Sequence, residues 1–136
     1  MKRVALLFAV VLLLAACGGG GNADAAQVKQ AWSSFFSTKG TVAAHVALLQ
    51  NGPKFRSVIQ GFLTDPRASG AKATVTSVTL EGANKAKVVY TVQIAGFPIP
   101  HQVGYAYKVN GKWKVGDASL CALISLGGST PPVCKS

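Results

Sequence analysis

Acidic side chains are scarce in this 136-residue chain: 4 Asp and Glu stand against 14 Lys and Arg, for a formal net charge of +10. The four carboxylates, Asp24, Asp65, Glu81 and Asp117, are scattered along the chain, which leaves few groups for acid/base chemistry. Histidine is rarer still. His45 and His101 lack the Cys/His spacing of a zinc site, so neither a metal nor a cofactor is expected. The hydroxyl-rich stretches Ser33-Ser34, Thr74-Val75-Thr76-Ser77 and Ser129-Thr130 show no nucleophile-elbow pattern. A membrane-spanning run is missing as well: the uncharged apolar stretch Val4 to Leu14 has eleven residues, and a spanning helix needs about 20. The length allows one domain.

What the N-terminus does contain is ordered. Met1-Lys2-Arg3 precedes the apolar run, and Leu14-Ala15-Ala16-Cys17 closes it before Gly18 to Gly21. A basic start, a short apolar core and small residues before a break predict a secretory signal over residues 1–16. Leu-Ala-Ala-Cys resembles the bacterial lipobox, which makes Cys17 the expected site of lipidation and the first residue of the mature chain. Acyl chains would hold the protein on a membrane, each buried methylene adding about 0.8 kcal/mol. The expected location is therefore the extracytoplasmic side of the cell membrane. A protein exported on a lipid anchor does not meet nucleic acid. Residues 17–25, rich in glycine, predict a flexible tether, and residues 26–136 a single domain.

In that domain Val28, Trp32, Phe35 and Phe36 recur at helical spacing, predicting a helix from about Ala25 to Ser37. Thr41 is placed to cap a second helix carrying Val42, Val46 and Leu49, which Asn51-Gly52-Pro53 ends. A third carries Phe55, Val58, Ile59, Phe62 and Leu63 and stops at Asp65-Pro66. The period then changes to two, predicting strands at about 73–80, around Val88 to Ile94, 101–109 and 112–117. Gly96 to Pro100 is expected to interrupt the pairing of the middle two. Helices followed by an antiparallel meander make an α+β fold.

For the last hairpin, a two-residue Asn110-Gly111 loop sets Trp113 opposite Lys108 and mixes apolar with charged residues. A three-residue loop sets Trp113 opposite Tyr107 and Val115 opposite Tyr105. The second register is the expected one. It puts Val103, Tyr105, Tyr107, Trp113 and Val115 on the core face, and Lys108, Lys112 and Lys114 with Lys87 on a basic outer face. Such a face suits anionic lipid or an acidic envelope polymer. Of the three cysteines, Cys121 and Cys134 remain to pair in an oxidising compartment and to pin the tail back onto the last strand.

Trp32 with Phe35-Phe36, Ala47-Leu48-Leu49-Gln50-Asn51-Gly52, Ala73-Thr74-Val75-Thr76-Ser77-Val78, Gly111-Lys112-Trp113-Lys114-Val115 and Cys121-Ala122-Leu123 through Cys134 follow one another in this order. Together they resemble the mycobacterial low-molecular-weight secreted antigen family over residues 26–135. The resemblance implies an exported actinobacterial protein or lipoprotein with a paired Cys121 and Cys134. It also implies a cone similar to nuclear transport factor 2, in which a curved four-stranded sheet wraps N-terminal helices. No catalytic residues come with it. Such cones often hold a pocket, which here would be lined by Trp32, Tyr90, Tyr105, Tyr107 and Trp113 and either filled by them or open to an apolar small ligand. An enzyme in this cone would need an acid/base pair at the mouth, for which only His101 and Asp117 qualify. The expected role is therefore a membrane-anchored, non-enzymatic binding or accessory domain of the envelope, with a surface antigen lacking any pocket as the other non-catalytic reading.

Overall fold

The computed structural model describes residues 19–135, with side chains from Asn22 onward; the expected leader and Cys17 lie outside the described residues. Helix α1 spans Gly19–Phe35, α2 Val42–Leu48 and α3 Arg56–Thr64. Strands β1 (Lys72–Leu80), β2 (Lys85–Ile94), β3 (Phe97–Val109) and β4 (Lys112–Val115) follow, and then α4 (Asp117–Ser125). The strands form one antiparallel sheet in the order β1-β2-β3-β4. The fold is α+β, with most helices preceding the sheet. Among the described residues no helix is long and apolar enough to cross a membrane.

The helix ends follow their local chemistry. Thr41 caps α2 as expected, its Oγ1 accepting from the Ala44 N–H at 3.1 Å. Asp65 ends α3 and caps the short turn that follows by accepting from the Arg67 N–H. At the other end of the chain's helical region the expectation differs from the outcome. Residues 19–25, expected in a flexible tether, belong to α1, and the carboxylate of Asp24 accepts hydrogen bonds from Trp113 Nε1 at 2.9 Å and Lys108 Nζ at 3.3 Å. A side chain tied to the sheet fixes the helix around it despite the poor helix propensity of glycine.

One face of α1 is buried on the sheet. Val28, Ala31, Trp32, Phe35 and Phe36 pack there against Ala86, Val88, Tyr90, Val92, Ala106, Trp113 and Val115. Trp32 meets Tyr90 edge-on at 5.1 Å between ring centroids. The sheet side is made of small residues where the indole lies: a Cβ on Gly104 would stand 2.7 Å from Trp32 Cζ2. Burial pushes the Tyr90 hydroxyl up to about 12.

Two hairpins depart from expectation. Gly96 to Pro100 does not interrupt the sheet: Ala95-Gly96 is a two-residue turn with both φ positive, and Ile94 pairs with Phe97. Pro98 is tolerated because β4 pairs with β3 only over Ala106 to Val109, leaving the start of β3 at a sheet edge. A bulge between Tyr90 and Val92 takes up Pro100 and His101, and a second interrupts β1 between Val75 and Ser77. The β3–β4 turn is the two-residue form, with Asn110 at φ 51° and Gly111 at 77°. Trp113 therefore opposes Lys108, and Val115 opposes Ala106. The mixing that argued against this register is real but harmless. Asp24 neutralises the Lys108 ammonium at the rim of the core face.

That register moves Val103, Tyr105, Tyr107 and Lys108 to the other side of the sheet, Val103 being exposed rather than in the core. Tyr105 and Tyr107, expected in the core, lie on the outer face with Lys87 and Lys85, their partners on β2. Lys108 leaves the basic face for the inner one, while Lys112 and Lys114 stay outside with Val109 and Tyr107. Trp113 remains buried. The period of β3 is the expected one, and its phase is the opposite.

The last helix was not anticipated. Cys121 sits in α4, and its disulfide to Cys134 joins Cα atoms 5.5 Å apart across a separation of 13 residues. The tail is thus pinned to a helix instead of to the last strand.

Candidate apolar cavity

At the C-terminal end of α1 the core does not close. Phe35 and Phe36 of α1, Val58, Ile59 and Phe62 of α3, Val92 and Ile94 of β2, and Ile99 of β3 surround a cavity of about 410 Å³. Leu120, Leu123 and Ile124 of α4, with Leu126 and Gly127 just beyond, complete it. The volume falls within the range of ligand pockets, about 300–1,000 Å³. Each element contributes the residues its own period buries, and none is adjacent in sequence to those on the next. Leu126 at the rim is 61% exposed, and nearby Phe97 is 74% exposed.

Among the lining side chains His45 alone is polar. It is buried, and both ring nitrogens face backbone carbonyl oxygens, Nδ1 that of Thr41 at 2.8 Å and Nε2 that of Ser37 at 2.6 Å; a neutral ring carries one N–H and donates to one of the two. Those contacts hold the ring between the start of α2 and the end of α1, with both nitrogens directed at backbone. Ala71 is the remaining contact. The lining is almost entirely hydrocarbon.

Of the five residues expected to line a pocket, none lines this one. Trp32 and Tyr90 are consumed in packing α1 on the sheet, Trp113 closes the core at the opposite end, and Tyr105 and Tyr107 face outward. Nor are His101 and Asp117 brought together. His101 is exposed at the β3 bulge with φ 59°. Asp117 begins α4 with both carboxylate oxygens occupied, one by Asn51 Nδ2 and one by the Ala118 N–H, each at 2.8 Å. The lining that sequence reasoning missed had a signal: Val58, Ile59 and Phe62 give α3 an apolar face with too little partner surface in its own hairpin.

Elsewhere the charged groups serve the fold. The Trp113 indole N–H, and then Lys108, hold the Asp24 carboxyl below its ordinary value against the opposing effect of burial. Asp65 is likewise held down by the Arg67 side chain and N–H. No three His, Cys, Asp or Glu side chains among the described residues converge to hold a metal.

Helices laid over one face of an antiparallel sheet, a disulfide-clamped C-terminal helix and an apolar cavity between them define a small α+β domain. The chain matches the model of the low molecular weight antigen MTB12 C-terminal domain over residues 22–131, and it belongs to that family of secreted antigens. Comparison with curated proteins and with solved structures gave no significant match.

Proposed function

We propose that this protein is a lipid-anchored, non-enzymatic carrier of an apolar ligand in the cell envelope, holding a hydrocarbon chain in the cavity between α1, α3, α4 and the sheet. The observation that carries this reading is the lining: a cavity of about 410 Å³ whose one polar side chain, His45, has both nitrogens against backbone carbonyl oxygens. Burying methylenes is what such a site does best, at about 0.8 kcal/mol each. Proton transfer would require a titratable group directed at the substrate, and both nitrogens of His45 are directed at backbone.

The test is titration of the mature chain, with Cys17→Ser so that no acyl chain is attached, against saturated fatty acids of increasing length. Affinity is expected to rise by up to about four-fold per methylene until the cavity is full. Ile99→Trp, which places an indole inside the cavity from a half-buried strand position, is expected to weaken binding at least about ten-fold while the melting temperature holds. Affinity independent of chain length, or unchanged by Ile99→Trp, would refute the carrier reading.

The anchor is tested separately. Growth of the host on a labelled fatty acid should mark the wild-type protein, and Cys17→Ser should lose the label entirely. A labelled Cys17→Ser protein would place the acyl chain elsewhere or nowhere on this motif.

A further inference from the structure

We propose that the outer face of the sheet docks on an anionic membrane surface, with Lys87, Lys112 and Lys114 as its charged contacts and Tyr105 and Tyr107 as the platform between them. This goes beyond the carrier reading: it does not depend on the cavity, but its choice of a bilayer rests on the lipid anchor proposed at Cys17. Pairing places Lys87 opposite Tyr105, and Lys85 and Lys114 on either side of Tyr107. Lys112 lies opposite Val109 on the same side. Lys85 Nζ stands 4.6 Å from the centre of the Tyr105 ring. The result is a row of cations interleaved with amphipathic rings, and Val103 beside them is 51% exposed.

Acidic groups are nearly excluded from this face. Asp24 is on the inner side with Trp113 and Lys108, Asp65 is paired with Arg67, and Asp117 is bound by Asn51. Glu81, in the β1–β2 turn, reaches only Lys85, at 4.0 Å. Among the described residues, Lys87, Lys112 and Lys114 thus form no ion pair with a carboxylate, and their charge is complementary to lipid phosphates. Long lysine stems and tyrosine rings suit the headgroup layer, where an apolar body and a polar tip are both satisfied.

The path of the chain selects a bilayer over a dissolved polyanion. Asp24 fastens the start of α1 to Trp113 and Lys108, so the chain enters the fold beside the β3–β4 hairpin, at the end of the face where Lys112 and Lys114 stand. Cys17 precedes Gly19 by two residues, a span of at most about 7 Å. An acyl chain there would bring the hairpin end against the headgroups. The cavity, at the far end of the 17-residue α1, then lies about 25 Å away along the helix, clear of the surface.

Flotation of the mature Cys17→Ser chain is the test, using vesicles of neutral phosphatidylcholine and of phosphatidylcholine mixed with anionic phosphatidylglycerol. Binding is expected only to the anionic vesicles and is expected to weaken with salt. K87Q/K112Q/K114Q should lose on the order of a hundred-fold in affinity, about five-fold per lysine. K39Q/K54Q, on exposed helical-side positions, should lose little, and Ile99→Trp nothing. If the triple variant fails to fold, Lys112→Gln alone, at an exposed hairpin position, should still show its five-fold share. Equal binding to neutral vesicles, an undiminished triple variant, an equal loss in K39Q/K54Q, or binding to an acidic polysaccharide with none to anionic vesicles would each overturn the proposal.

Discussion

Cys134→Ser is expected to lower the stability of the domain by about 3 kcal/mol, as the loss of a loop of this length predicts in the chain-entropy account, and to weaken ligand binding at the same time. The bond to Cys121 closes a separation of 13 residues and clamps the tail against α4. Leu120, Leu123 and Ile124 on that helix, and Leu126 and Gly127 after it, form one wall of the cavity. Without the clamp, the wall rests on the contacts of α4 itself: Leu120, Leu123 and Ile124 against the core, Ser119 Oγ accepting from the Tyr105 N–H, and Asp117 accepting from Asn51 Nδ2. Urea denaturation of wild type and variant would measure the first effect, and fatty-acid titration the second. Equal midpoints, or alkylation of both thiols in the native wild-type protein, would show that the clamp does not exist in solution. A stability loss with unaltered binding would show that α4 holds its place without it.

Gly104→Ala is expected to cost about 1–3 kcal/mol, the range for overpacking a filled core, although it adds a single methyl group. The Cβ would stand 2.7 Å from Trp32 Cζ2, 2.8 Å from Cη2 and 3.1 Å from Ser119 Cβ. The indole cannot retreat, because Tyr90 and Phe36 hold it from other sides. Trp32→Phe removes the part of the ring that meets Gly104 and also removes a buried indole N–H that has no partner among the described residues. It is therefore expected to cost less than the roughly 3–5 kcal/mol of truncating a buried aromatic to alanine. The double variant W32F/G104A should be more stable than the sum of the single losses implies, with a coupling of about 1 kcal/mol or more. Strict additivity in thermal melts would mean that Trp32 and Gly104 do not touch.

Much of the fold could be read along the chain because short-range signals carried it. The period of Val28, Trp32, Phe35 and Phe36 marked the buried face of α1, Thr41 marked the start of α2, and Asp65-Pro66 the end of α3. Alternation from Val88 to Ile94 marked β2, whose even residues are the buried ones. The errors arose where two local rules gave opposite answers. Around Asn110-Gly111, avoidance of a lysine on the core face was set against the preference of that dipeptide for a two-residue turn. The turn prevailed because Asp24, from a segment distant in sequence, accepts the Lys108 charge. Around Pro98 and Pro100, proline marked an interruption, but the edge position of that part of β3 removes the hydrogen bond that proline lacks.

The candidate site was less legible than the fold. The aromatics that drew notice as cavity lining are those that large surface area draws into the centre, and Trp32 and Tyr90 are spent there. The cavity is instead bounded by aliphatic residues such as Ile94, Ile99, Leu123 and Ile124, which any core would use and which carry no chemical signature. By itself, the sequence determined the family, the α+β class, the pairing of Cys121 with Cys134 and the excess of lysine, since each is a property of composition, order or local period. Only the tertiary structure decided which face each strand presents, where the cavity opens and which lysines stand together. Those depend on register and on contacts between distant segments, and a shift of one residue in a strand exchanges its two faces.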